Sequence, residues 1–330
     1  MAGIMSAFSF PAFSADALRK MSDMPGISWH GTPVPTAEEQ ALAERMKRHV
    51  VAIASDEHNV SHFSRLEAAA VYLEKVLMDY GCQPKRQEFT ASGRRVRNIE
   101  VSIRPQHTGA TKPDLVVIGA HYDSAIGAPG ANDNASGTAA VVELARLLKD
   151  AVLPADREIR LVLFVNEEAP FFGTAGMGSW VHAQELHKRG DIVTAMISLE
   201  TIGYFSDAKV SQRYPSPLAS AYPDTGDFIG FVGNEGSRAL LEQAIASFRR
   251  HTAFPSEGLV ASSAVPGVSW SDHWSYWQFG CPAIMVTDTA PYRYPHYHTQ
   301  QDTPDKIDYL RMARVVKGME RVIRELTDSK

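Results

Sequence analysis

Cysteine is nearly absent: Cys82 and Cys281 are the only two in 330 residues, and they lie far apart. A disulfide framework and a thiolate zinc site are thereby excluded, so any bound metal must use imidazole and carboxylate ligands. An excess of positive charge is missing as well. Lys and Arg total 33 against 38 Asp and Glu, for a net charge of -5, and no basic run interrupts the pattern. The chain therefore offers no field for a phosphate backbone, and nucleic acid is not an expected partner. No stretch reaches the roughly 18 uninterrupted apolar residues of a membrane-spanning helix, so the chain reads as soluble, without a transmembrane segment. Internal repeats and clear linkers are lacking too. What is present is a 44% hydrophobic content, enough for a large core.

The residues from Met1 to Ala15 are apolar and uncharged, and Ser14-Ala15-Asp16-Ala17 loosely matches a small-residue cleavage site. The basic region that opens an export signal is missing, so a degenerate signal and a plain apolar arm both stay open over 1–35, as do cytoplasmic and exported locations. The remainder, 36–330, reads as one domain. Thr36 with Glu39 and Ser64 with Glu67 have the spacing of capping boxes, the first opening a helix striped by Leu42, Met46, Val50 and Ile53 and the second a helix ending at Gly81. Alternation over 83–89 and 97–104 predicts an edge hairpin. Leu115 to Ala120, Arg160 to Asn166 and Ile192 to Leu199 read as buried strands, with helices from about Ser136 and over 173–189 between them. That order predicts a three-layer α/β fold with a mixed, mostly parallel central sheet. A long loop over 206–234, a helix over 237–250, a strand over 283–287 and a closing helix over 304–326 complete it.

Glu167 and Glu168 follow the run Leu161 to Val165 directly, and no Lys or Arg lies between Arg160 and Lys188. Two carboxylates at the inner end of a core strand need a cation, because burying an unpaired charge costs several kcal/mol. A solvated strand-to-loop turn would remove the need. In open parallel sheets, however, ligands gather beyond the carboxyl ends of strands. Those ends carry His121-Tyr122-Asp123, Glu167-Glu168 and Glu200, with His298 in the last region; Gly130 to Gly137 aims Asp133 at the same edge. A core histidine at 121, a helix cap at 133 and a surface histidine at 298 are each ordinary readings. They would all have to coincide at corresponding points of one topology. The ligand types suit Zn²⁺, with Mn²⁺ and Co²⁺ also compatible. Two ions about 3.5–4 Å apart need a bridging carboxylate, naturally Asp133, and a shared nucleophilic water.

The same residues carry a resemblance. His121-Tyr122-Asp123, Gly130-Ala131-Asn132-Asp133-Asn134-Ala135-Ser136-Gly137, Asn166-Glu167-Glu168, and Tyr297-His298-Thr299 with Asp302-Thr303 resemble the bacterial zinc aminopeptidase family. That family also holds the glutamate carboxypeptidases and animal glutaminyl cyclases. The resemblance runs from about Leu66 to the C-terminus and implies a zinc-peptidase architecture. It implies one zinc at His121, Asp133 and Glu200 and a second at Asp133, Glu168 and His298. Glu167 would be the general base, Asp123 would orient the His121 ring, and Tyr297 would stabilise the oxyanion. Adjacent side chains leaving a strand point different ways, which lets Glu168 take metal and Glu167 a proton. The best-known aminopeptidases of the family carry Asp where this chain has Glu200, which leaves a single-metal enzyme open.

The implied activity is hydrolysis of the N-terminal peptide bond of a peptide with a free N-terminus, whose amine Glu167 or Glu200 would meet. A single-zinc glutaminyl cyclase, or a dipeptidase or carboxypeptidase, is the alternative. Tyr204, Phe205, Tyr214, Trp270, Trp274 and Trp277 are candidates for an apolar pocket or for core. Asp272-His273 reads as site support or a helix start, and Arg293 as a surface residue or a binder of a substrate carboxylate.

Overall fold

The structure, a computed structural model, describes residues 14–31, 33–107, 112–216 and 218–328. Most of the apolar stretch read as an arm or export-like signal lies outside them. Its described end forms helix α1 (Ala15–Ser22), capped by the Ser14 hydroxyl accepting from the Ala17 amide. Helix α2 (Ala37–Ile53) starts at the expected capping box: Thr36 Oγ1 accepts from the Glu39 amide at 3.1 Å, and Glu39 Oε2 accepts from the Thr36 amide at 2.7 Å. Helix α3 (Phe63–Asp79) begins one residue before Ser64 and has no side-chain cap. The second capping box does not form, because the Glu67 carboxylate pairs with Arg97 instead.

Strands β1 (Lys85–Ala91) and β2 (Arg94–Ile103) make the expected hairpin. Its two-residue turn places Ser92 and Gly93 at φ of 48° and 74°, the geometry that matches strand twist. The chain continues through β3 (Asp114–His121), α4 (Gly137–Leu148), β4 (Arg157–Phe164), α5 (Gly178–Lys188), β5 (Val193–Glu200), β6 (Ile229–Gly233), α6 (Arg238–His251), β7 (Ser256–Val260), α7 (His273–Trp277), β8 (Ala283–Thr287), α8 (Ala290–Arg293) and α9 (Tyr309–Asp328). Among the described residues, the eight strands join one sheet in the order β1-β2-β4-β3-β5-β8-β6-β7. The pairs β3/β4, β3/β5, β5/β8 and β6/β7 are parallel; β1/β2, β2/β4 and β6/β8 are antiparallel. The fold is therefore mixed and mostly parallel α/β, as the strand and helix order implies.

The loop expected over 206–234 is shorter than that, since 229–233 is strand β6. Strand β7 was not expected at all. On β3 the apolar run is continuous because both faces are covered: Val116, Ile118 and Ala120 enter the large core with α2, α4 and α9, while Leu115 and Val117 enter a smaller one with α5 and α7. Gly119 must be glycine, because a Cβ there would lie 2.2 Å from the Phe164 ring. Among the described residues no helix is long and apolar enough to cross a membrane.

One charged group is sunk into the helical layer. Glu143 on α4 is fully buried and accepts from Arg45 Nε at 2.9 Å, Arg146 Nε at 2.7 Å and the Tyr80 hydroxyl at 2.7 Å, with His49 Nε2 3.2 Å away. Against the opposing effect of burial, these partners hold its carboxyl down at about 2, below the usual 4.5. A depressed folded value means stabilisation present above the unfolded value and lost as pH falls through the folded one. Glu143→Gln should lower stability by roughly 3 kcal/mol at pH 7. In denaturant titrations its deficit should shrink as pH drops from about 4.5 toward about 2; a deficit independent of pH would contradict the ion-pair account.

Candidate metal centre

The parallel register brings the expected residues to one edge. His121 pairs with Phe164 at the end of β4, and Gly119 pairs with Ser198, which sets His121 level with Glu200. Asp133 comes from the irregular turn Ala131–Ser136, where Asp133 and Asn134 leave helical geometry and their shared peptide is cis. Polar side chains pin that turn from every side. Asp302 accepts from the Asn132 amide at 2.8 Å and the Asp133 amide at 3.1 Å, and is itself held by the Tyr294 hydroxyl at 2.9 Å. Asn134 donates to the Leu199 carbonyl at 2.9 Å and accepts from the Thr201 and Gly137 amides. Asn132 donates to Asp288, which also accepts from the Gly203 and Tyr204 amides.

At the centre, His121 Nε2 stands 3.3 Å from Asp133 Oδ1, 3.3 Å from Glu200 Oε2 and 3.8 Å from Glu167 Oε2. His298 Nε2 stands 2.9 Å from Asp133 Oδ2 and 3.2 Å from Glu168 Oε1. Asp133 thus faces one histidine with each carboxylate oxygen. The two glutamates divide as their adjacent positions allow, Glu168 toward His298 and Glu167 toward His121. Three triads bring ligand atoms within 4.8 Å of one another: His121-Asp133-Glu200, Asp133-Glu168-His298 and His121-Glu167-Glu168.

Asp123 meets this cluster in two ways. His121 Nδ1 donates to the Asp123 main-chain carbonyl at 3.0 Å, with the carboxylate farther away at 3.6 Å. A carbonyl only accepts, so Nδ1 carries a proton, and Nε2 is the nitrogen turned toward the acids. The Asp123 carboxylate accepts instead from the Glu167 amide at 3.0 Å and the Glu168 amide at 3.2 Å. One side chain therefore fixes both glutamates. Glu200 has a support that sequence did not reveal: Ser271 donates to it at 2.7 Å and Ser198 joins Ser271 at 2.8 Å.

Charge crowding is severe. Burial raises Glu167 well above its usual range, with Glu168, Glu200 and Asp272 adding repulsion. Burial also pushes Glu200 up to about 8 and Asp272 to about 7. Against the desolvation that burial imposes, Glu200 and Glu167 hold His121 well above its ordinary value, and contacts with Asp133 and Glu168 raise His298 to about 11. Two imidazoles cannot neutralise this many acids. His121 Nε2, Asp133 Oδ1 and Glu168 Oε1 are buried without a hydrogen bond, a cost of about 1–3 kcal/mol each unless another partner is supplied. They converge on the triads, and their nitrogen and oxygen donors fit a divalent cation.

Tyr297 stacks on His298 with ring centroids 3.9 Å apart and planes 18° apart. Asp272 is fully buried beside the centre, and His273 Nε2 is tied to the Val268 carbonyl at 2.8 Å. Arg293 is neither a surface residue nor aimed at the centre. It is buried, donates to Gln212 Oε1 at 2.7 Å and to the Phe228 carbonyl at 2.8 Å, and lies 4.5 Å over the Phe228 ring. Of the six aromatic candidates, Tyr214 and Trp270 line a cleft of about 790 Å³, open solvent included, that ends at Glu200 and Tyr297. Tyr204 packs on Tyr294, Phe205 on Phe254, Trp274 on Trp180, and Trp277 donates to the Ala283 carbonyl.

Residues 98–323 match Peptidase family M28. The chain belongs to that family. It is thus a peptidase by descent, a hydrolase of peptide bonds, and the resemblance seen in its motifs is to the right group. It is similar to protein YfbL of Escherichia coli (strain K12), 38% identical over 297 residues that cover 87% of this chain and 89% of that one. Two solved structures share the fold. An aminopeptidase from Aneurinibacillus sp. strain AM-1 has a TM-score of 0.64 at 18% identity, over 88% of this chain and 96% of that chain. A glutaminyl cyclase of Porphyromonas gingivalis has 0.61 at 20% identity, over 86% and 98%.

The double grip of Asp123 on the M28 chain gives a direct check. Asp123→Asn turns one acceptor into a donor facing an amide N–H, so stability should fall by about 1–3 kcal/mol. Urea unfolding of the variant would test this, and an unchanged midpoint would contradict it.

Proposed function

We propose that this M28 peptidase is a zinc aminopeptidase that removes the N-terminal residue of a peptide with a free amine. The observation that carries the reading is the pair of triads sharing Asp133, with unpartnered ligand atoms, beside an apolar cleft. In this reading His121, Asp133 and Glu200 hold one ion, and Asp133, Glu168 and His298 a second. Bound there, zinc would supply Lewis acidity toward the scissile carbonyl and lower the pKa of neighbouring water toward about 7. Glu167 takes the proton of the attacking water and passes it to the leaving amine; its carboxylate, 3.8 Å from His121 Nε2, stands farther from that nitrogen than Asp133 or Glu200, which favours that role. The Tyr297 hydroxyl donates to the carbonyl oxygen as charge develops there. Glu200, at the end of the cleft, meets the substrate α-amine, and the cleft receives the first side chain. One catalytic unit over 36–330 is the matching domain reading, supported by a single sheet that takes in every strand among the described residues from 85 to 287.

A glutaminyl cyclase works with one metal position and no attacking water. The intact triad at Glu200, anchored by Ser271, favours hydrolysis over that chemistry. A panel of aminoacyl amides, an N-terminal glutaminyl peptide and an N-terminally blocked peptide separates the two. Release of the first residue from the amides and inertness of the blocked peptide are expected, whereas cyclisation of the glutaminyl peptide alone would replace this reading.

Glu167→Gln should keep its metal content and lose about 10²-fold or more in kcat; loss of metal in that variant would contradict the division between the two glutamates. Chelation should abolish activity and zinc restore it, with bound metal counted in parallel. Full activity after complete metal removal would end the metal reading.

A further inference from the structure

The apolar cleft is lined by a charged side chain, Glu257, that has no direct partner among the described residues. Glu200 pairs with Thr287 across β5 and β8, Thr287 with Gly230 across β8 and β6, and Gly230 with Glu257 across β6 and β7. Directly paired residues share a face, so these four form one row, with Glu200 at one end and Glu257 at the other. Strand spacing puts their backbones about 14 Å apart. The middle of the row is low, because Gly230 has no side chain. Leu259, Val232 and Met285 make the next row of the same cleft wall.

Glu257 makes no hydrogen bond or ion pair among the described residues; the Arg249 and His30 charges act on it only from a distance, and the polar groups around it are bonded elsewhere. The Tyr222 hydroxyl donates to the Gly258 carbonyl at 2.7 Å and that of Tyr214 to the Pro223 carbonyl at 2.5 Å. The Arg249 guanidinium is taken up by the carbonyls of Met24, Pro25, Gly26 and Ser256 and by the Ser256 hydroxyl. Burial raises the Glu257 carboxyl, against the opposing pull of the Arg249 and His30 charges, as expected of an anion in poor solvent without a direct partner. Tyr214 and Tyr222 stack beside it, centroids 5.4 Å apart and planes at 24°, and aromatic faces attract cations.

We propose that Glu257 makes the cleft selective for a basic N-terminal residue, lysine or arginine, whose charged end it pairs while the apolar walls clasp the stem. The inference rests on the aminopeptidase reading and adds the substrate class. A lysine side chain reaches roughly 6 Å from its Cα and a glutamate carboxylate roughly 4 Å, which together span most of the row. An apolar side chain of the same length would cover the carboxylate without pairing it, and that desolvation is unfavourable.

The test compares kcat/KM for lysyl, arginyl, leucyl and norleucyl p-nitroanilides in the native enzyme and in Glu257→Gln, with calorimetric binding of L-lysine against L-norleucine. The native enzyme should prefer the basic substrates and bind lysine more tightly than norleucine. Glu257→Gln, at unchanged melting temperature, should lose roughly 10- to 100-fold on lysyl and arginyl substrates and little on leucyl. Equal losses on all four, no loss on any, or norleucine bound as tightly as lysine by an enzyme active on leucyl p-nitroanilide would overturn the role of Glu257 alone. A native enzyme inactive on every aminoacyl p-nitroanilide would bring down the aminopeptidase reading and this one with it.

Discussion

Negative charge withdrawn from water at the carboxyl ends of parallel strands is the constraint on which the rest of this structure depends. Asp133, Glu167, Glu168, Glu200 and Asp272 are all buried there, against two imidazoles. A second set of acids keeps the first in place. Asp123 and Asp302 each accept two main-chain amides, and Asp288 accepts from two amides and the Asn132 side chain. The geometry of the centre is therefore carried by backbone contacts within the fold, and the inner carboxylates are left free to face one another. Such preorganisation lets a site stabilise charge without rearranging when it appears.

How much of this was legible in the sequence depended on whether the signal was local. β3, β4 and β5 could be read because strands covered on both faces need unbroken apolar runs, and the site residues because they follow those runs. The Thr36 box was legible because its partner is three residues away. The Ser64 box failed for the opposite reason: Glu67 is claimed by Arg97, thirty residues on, and no local pattern reveals that. β6 reads Ile-Gly-Phe-Val-Gly and β7 Ser-Glu-Gly-Leu-Val, short stretches with glycine and little alternation. Arg293 looks like a surface cation in sequence, yet its burial is set by Gln212 and Phe228 from a distant segment. Ser271 gave no signal of its own, since a lone serine acquires meaning only from the carboxylate it meets.

The sheet separates two duties. Its centre, β3 to β5, presents the charged cluster, while β8, β6 and β7 make the wall of the apolar cleft. Glu200 and Thr287 are paired at the border between them. On the proposed reading, side-chain preference can vary along β6 and β7 without disturbing the ligands. Residue Gly230 marks where that freedom begins, because any side chain there would fill the floor of the cleft.

The candidate ligands differ in their access to solvent. The His121 side chain is 1% exposed and that of His298 40%, on a residue whose φ is 54°. An ion held by Asp133, Glu168 and His298 would have one half-exposed ligand, whereas an ion held by His121, Asp133 and Glu200 would have three buried ones. Two positions that share a carboxylate would thus fill and empty on different clocks, the outer one exchanging with its surroundings while the inner one stays closed.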